Sequence, residues 1–208
     1  MKRFSNLGEL RLDEKELKTD LGYDRNVFVC SSCDMFHPEV HTVWISRVLE
    51  KIQNHTSQTI PTIGQSNRYH FQTKNPEKYL PFLHLFPFQA QLSTTIESDI
   101  GYGISGAPDV TLRADALANI RSRGFITAVS IEPVFDFTID GMLNVITRAS
   151  PSTIMIGAES KGLAQGIPEP SESKLLELIG MLRAMDIRVY LKSNLKRLMP
   201  GTTTWMST

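Results

Sequence analysis

Short apolar runs rich in β-branched residues recur along the chain, and each stops at a cluster of small polar or charged residues. They are VFVCSSCD (Val27 to Asp34), YHFQTKN (Tyr69 to Asn75), QLSTTIES (Gln91 to Ser98), ITAVSIEP (Ile126 to Pro133), TIMIGAESK (Thr153 to Lys161) and RVYLKSN (Arg188 to Asn194). Buried strands of parallel sheets read as near-continuous hydrophobic runs. The six runs therefore predict six parallel strands. Between them the period changes to that of helices packed on a sheet. Val40, Trp44 and Val48, with Ile45, Leu49 and Ile52 beside them, predict a helix from Pro38 to Ile52. Leu112, Ala116, Leu117 and Ile120 predict the inner face of a second. Asp140 is placed to cap a third, with Met142, Leu143, Val145 and Ile146. Ser171 opens a fourth, with Leu175, Leu176, Leu178, Ile179, Leu182 and Met185 inward. Glu77 to Leu83 predicts a short helix at most, and Asp13 to Lys18 a single turn.

Alternation of strand and helix means βα units on a parallel sheet. Six units are fewer than the eight of a closed barrel, so the expected fold is α/β, a partial (β/α)6 TIM-like barrel. A flat doubly wound sheet is the alternative. Residues 1–24 are polar and mixed in charge and read as an N-terminal arm, 25–198 as the barrel domain and 199–208 as a tail. Residues 53–68 form a polar loop, long for a βα repeat. No glycine-rich dinucleotide or P-loop motif follows any strand.

Composition narrows the function classes. At 208 residues the chain suits one domain with a full core. Lys plus Arg equals Asp plus Glu, 22 each, which argues against non-specific electrostatic binding to nucleic acid. No stretch has the length of a membrane span or the layout of a signal peptide, so a cytoplasmic protein without membrane association is expected.

In barrels of this type, chemistry sits where strands end. Glu97, Glu132 and Glu159 occupy equivalent places at the ends of the third, fourth and fifth runs. Carboxylates so placed can hold ribose hydroxyls, an ammonium group or a metal, or act as acid and base. Equally, each can pair with a lysine such as Lys74, Lys161 or Lys192 in a buried ion-pair network. Asp34, Gln72 and Lys74 add hydrogen-bonding groups to the same rim, and Lys192 and Asn194 contribute from the last run. Cys30 and Cys33, followed by His37 and His41, give C-x2-C-x3-H-x3-H. That spacing is cramped for zinc, which needs a loop of about 12 residues between ligand pairs. A redox CxxC would open a helix, whereas here Ser-Ser and Asp34 precede Pro38. Metal, redox and purely structural readings of this group stay open. Tyr79, Phe82, Phe86 and Phe88 read as core around a loop, with base stacking as the alternative.

Taken in order, VFVCSSCDMFHPEV, FQTKNPEKYL, LSTTIES, SIEPVFDF, IGAESKG and LKSNLKRL resemble a phage and prokaryotic branch of the radical SAM superfamily. The resemblance spans about Leu7 to Leu198. It implies a partial barrel whose first βα unit is missing and S-adenosylmethionine as ligand, with Ser31, Ser32 and Asp34 near its amino group. Thr95, Glu97 and Ser98, with Ser130 and Glu132, would serve its ribose and carboxylate. The strand-end pattern itself, apart from the resemblance, sets Gln72, Lys74, Glu159, Lys161, Lys192 and Asn194 toward a small-molecule or nucleotide-like substrate. The superfamily holds a [4Fe–4S] cluster on three cysteines, usually CxxxCxxC; this sequence has two cysteines and no such motif. A cluster is therefore expected only if an upstream segment is missing. Two rival expectations come from other classes. One is a non-catalytic module that binds a partner or a second copy through an exposed sheet edge; the other is a metal-dependent hydrolase using the glutamates or the Cys/His group.

Overall fold

A computed structural model of the chain describes residues 10–58, 66–103, 105–160, 162 and 166–202. Six strands form one sheet in sequence order, all parallel, curled into a half-barrel. They are β1 (Asn26–Phe28), β2 (Arg68–Thr73), β3 (Gln91–Thr95), β4 (Ile126–Ile131), β5 (Thr153–Ile156) and β6 (Arg188–Leu191). The crossovers carry α1 (Thr42–Gln58), a 3-10 helix (Pro76–Leu85), α2 (Val110–Ser122), α3 (Ile139–Ala149) and α4 (Glu172–Ala184). The partial (β/α)6 expectation holds.

The register shows why the sheet curls instead of lying flat between two layers of helices. Phe71, Leu92, Ile96, Val129, Ile131, Ile154, Ile156 and Leu191 all point to one face, where they pack with the helices. The residues between them point to the other face: His70, Gln72, Ser93, Thr95, Ala128, Ser130, Thr153, Met155 and Tyr190. One face is apolar and helix-covered, while the concave face is largely polar. Near-continuous hydrophobic runs were expected; side-chain polarity in fact alternates, although β3 and β4 are buried on both faces. Hydroxyls mask that alternation, because Ser93 and Thr95 donate or accept hydrogen bonds within the sheet and are buried despite facing inward.

Several element details differ from expectation. Helix α1 starts at Thr42, and Pro38 lies in a turn before it. Thr138, not Asp140, caps α3, its hydroxyl accepting from Gly141 N–H at 3.1 Å. Ser171 caps α4 as expected. Leu112, Leu176 and Met185 are exposed, whereas Arg113 is turned inward on α2. Tyr79, Phe82 and Phe86 join the core, and Phe88 lies outside it.

The arm is tied to the barrel. Asn67, buried just before β2, donates from Nδ2 to the carbonyls of Leu21 (3.2 Å) and Gly22 (2.9 Å). Its Oδ1 accepts from Arg25 N–H at 2.9 Å. Glu14 pairs with Arg47 on α1 at 2.6 Å, and Leu21 packs against the β2 core cluster. Among the described residues, β1 pairs only with β2 and β6 only with β5, so each outer strand presents a side with no strand partner there. Among the described residues, no helix is long and apolar enough to cross a membrane.

Candidate functional site at the strand ends

Two charged clusters occupy the C-terminal ends of the strands. The first runs from the β1 end to α2. Asp34 Oδ1 accepts from Phe36 N–H at 2.9 Å, which fixes the carboxylate. Its Oδ2 accepts from the Thr73 hydroxyl (2.9 Å) and from Lys74 N–H (3.1 Å), joining the ends of β1 and β2. The Lys74 ammonium then reaches Glu97 Oε1 at the end of β3. Glu97 Oε2 accepts from Arg113 at 2.9 Å. The same guanidinium donates to Thr95 O (2.7 Å) and Pro108 O (2.7 Å). Burial pushes the Glu97 carboxyl up, but the Lys74 and Arg113 contacts together outweigh it and hold the group below the usual range. Glu97 is thus a constitutive carboxylate that pins β3 to the start of α2.

The second cluster bridges β4 and β6 across β5. The Lys192 ammonium contacts Glu132 Oε2. Asn194 Nδ2 donates to Glu132 Oε1 and to Ala158 O, both at 2.9 Å. Gly157 directly follows the strand between them. A Cβ there would sit 2.6 Å from Glu132 Oε1 and 2.9 Å from Asn194 Oδ1. Glycine at a strand end that lets other groups approach closely has a packing reason; here the groups are a carboxylate and an amide crossing above it.

Glu97 and Glu132 make ion pairs of the kind the open alternative described. Glu159 lies in the loop after β5, its Oε2 accepting from Gly162 N–H at 2.6 Å. Lys161 lies outside the described residues. Gln72 Nε2 donates to Thr95 Oγ1 at 3.0 Å, linking β2 to β3 on the concave face. The Ser98 hydroxyl donates to Asp136 O at 2.6 Å and accepts from Ile100 N–H, so it shapes the loop after β3. That loop, with Tyr102 and Pro108, covers a cavity of about 330 Å³ whose floor is Glu97 and Arg113. Ser31 and Ser32 stand apart from this mouth. Both are exposed in the turn after β1 and line a cleft beneath the arm.

Among the described residues, three polar atoms on or beside the concave face are buried without a hydrogen-bond partner: Ser130 Oγ, Asn194 Oδ1 and His70 Nε2. Buried polar groups are normally satisfied, so each one left over calls for a water or a ligand. Burial lowers the His70 pKa, and the Lys192 charge lowers it further.

His70, Arg113 and Gly157 were not picked out as site residues from the sequence. A polar residue alternating with Tyr69 and Phe71 was a signal for His70, and a glycine ending TIMIG was one for Gly157. Nothing in LRADALANI marked Arg113 as buried.

The metal reading of the Cys/His group finds no support in the donor set. His41 is exposed and meets the Trp44 ring edge-on, centroids 4.9 Å apart, and the His37 side chain is 55% exposed. Among the described residues no three His, Cys, Asp or Glu side chains gather as a metal site requires. A four-iron cluster held on three thiolates does not fit a chain with two cysteines. No family model, curated protein or solved structure matches the chain.

Proposed function

We propose that this chain is a cluster-free relative of the radical SAM barrels that binds S-adenosylmethionine, or a similar nucleoside-bearing zwitterion, on its concave face. The observation that carries the reading is the set of unpartnered buried atoms there, Ser130 Oγ and Asn194 Oδ1, flanked by the Glu132–Lys192 pair. A ligand with ribose hydroxyls and an exocyclic amine supplies the missing partners. A ligand carrying both ammonium and carboxylate can meet Glu132 and Lys192 with either sign of charge.

In this reading Thr95, Ser130 and Glu132 hold the nucleoside and amino-acid groups. Gln72, Lys74, Lys192 and Asn194 complete the wall. Asp34 positions Lys74, and Glu97 and Ser98 shape the β3 loop; these three act through other residues. Glu159, Ser31 and Ser32 are left outside the binding set. With no cluster to supply an electron, the chain alone does not cleave the sulfonium reductively.

Isothermal titration calorimetry of the full chain with S-adenosylmethionine, S-adenosylhomocysteine and adenosine tests this. Saturable binding is expected, weakened at least tenfold in Glu132→Gln. Absence of binding at millimolar ligand, or equal affinity in the variant, overturns it.

A second reading rests on a separate observation. Among the described residues, strand β1 has one side without a strand partner and a Phe28 ring that is half exposed, which suits edge-to-edge association with a second copy. Sedimentation equilibrium would show a concentration-dependent dimer; a monomer at several hundred micromolar removes this reading.

A further inference from the structure

Strand β1 ends at Phe28, and the chain then folds back through Cys30, whose backbone is left-handed at φ 55°. Few residues other than glycine adopt that conformation. The result is a tight turn, Cys30-Ser31-Ser32-Cys33, closed by Cys33 N–H donating to Cys30 O at 3.1 Å. A turn closed this way holds its end Cα atoms within about 7 Å. A disulfide needs Cα atoms roughly 4.4–6.8 Å apart, so the backbone already provides nearly the required approach.

The two thiols are not equivalent. Cys33 is exposed, whereas Cys30 is half-buried beneath it. Both line a cleft of about 520 Å³ between the arm, β1 and α1, which leaves room for a second sulfur to approach.

We propose that Cys30 and Cys33 are a thiol–disulfide exchange pair, Cys33 attacking and Cys30 resolving, that reacts with low-molecular-weight disulfides of the glutathione class. In the first step the Cys33 thiolate attacks one sulfur of the small disulfide, forming a mixed disulfide and expelling one thiolate. In the second, Cys30 gives its proton to water or to the departing thiolate and attacks the Cys33 sulfur. The Cys30–Cys33 disulfide forms and the second small thiol leaves. The protein dithiol is oxidised by two electrons, and the small disulfide is reduced to two thiols.

Electrostatics support the roles that exposure assigns. A hydrogen bond from Cys30 brings the Cys33 thiol down to about 7, although burial and the Asp34 charge push it the other way. Cys30 is driven upward by the same hydrogen bond and by burial, so it keeps its proton until the mixed disulfide forms. The other charges lining the cleft are Arg11, Asp13 and Glu16 on the arm and Lys51 on α1. Unlike a CxxC that opens a helix, this pair places its attacking sulfur second, because the turn buries the first.

The test incubates the reduced full chain with oxidised glutathione and follows free thiols and intact mass. The wild type is expected to release two glutathiones per chain and to end with neither free thiol nor bound glutathione. Cys30→Ser is expected to accumulate a mixed disulfide at Cys33, and Cys33→Ser to react at least tenfold more slowly. Alkylation of the wild type should accelerate through about pH 7, below the ~8.5 of an ordinary thiol. A wild type that stays reduced or retains one glutathione overturns the proposal. So do equal rates for the two variants. The wild-type stoichiometry needs no substitution, and it decides the matter where a variant fails to fold.

Discussion

Gly157→Ala tests the bridge across β5 most sharply. The added methyl would meet Glu132 Oε1 at 2.6 Å, Glu132 Cδ at 2.9 Å and Asn194 Oδ1 at 2.9 Å. Such separations lie well inside the ~3.5 Å at which non-bonded attraction is greatest, so the carboxylate must retreat. Retreat stretches its 2.9 Å bond from Asn194 and its contact with Lys192. Overpacking costs about 1–3 kcal/mol, and a weakened charge-assisted hydrogen bond adds part of about 1.5–3 kcal/mol. Against this, replacing glycine stiffens the unfolded chain and returns about 0.4–1 kcal/mol. The return is available because Gly157 does not occupy the left-handed region. The net expectation is a loss of about 1–3 kcal/mol, read as a lower urea midpoint by circular dichroism, with each kcal/mol lowering Tm by roughly 2–4 °C at this size. The decisive arm is the same change in a Glu132→Ala background. Two of the three close atoms are then gone, and the cost should fall by at least about 1 kcal/mol, a coupling typical of residues in contact. Equal cost in both backgrounds would refute the reasoning.

Arg113→Met strips Glu97 of one of two cations in a buried setting, where breaking a pair costs about 3–5 kcal/mol; thermal unfolding should show it, and Glu97→Gln added to Arg113→Met should recover part of the loss. Stability should also fall as pH drops. His70 and Glu97 both have folded pKa values below their unfolded ones, so the unfolded chain takes up protons first, below about 6.5 for His70 and about 4.5 for Glu97. Urea midpoints between pH 7.5 and 5.5 should decline less in His70→Asn than in the wild type; identical slopes would contradict the buried, neutral imidazole. Asn67→Ala frees Leu21, Gly22 and Arg25 backbone groups at a cost of about 1–3 kcal/mol, and limited proteolysis should cut near residues 10–25 faster than in the wild type.

Strand order and the polar strand ends were legible because apolar runs and their stops are local features. What each strand end does was less so, since the partners come from distant elements. The sequence offers Lys74 and Lys192 as ion-pair partners for the glutamates, and they take that role with Glu97 and Glu132. Arg113 was invisible because Leu112, Ala116 and Ile120 make an acceptable stripe; Ala116 and Ile120 do face inward, but Arg113 takes the inward place expected of Leu112, where its guanidinium satisfies Thr95 O and Glu97. Leu112 is left exposed as a consequence. The polar concave face was hidden by composition. In QLSTTIES the inward Gln91, Ser93, Thr95 and Glu97 alternate with Leu92, Thr94 and Ile96, but serine and threonine blur a period that lysine or aspartate would have shown.

The proposed ligand of the concave mouth is a nucleoside-bearing zwitterion. Titrating the 15N-labelled full chain with S-adenosylmethionine and following amide chemical shifts tests it directly. The account predicts saturable shifts at the strand ends, around residues 72–74, 95–98, 130–132, 157–158 and 192–194. It predicts none at the opposite ends, near Asn26, Arg68, Gln91 and Ile126. A spectrum that does not change, or one whose shifts cluster at those opposite ends, would contradict it.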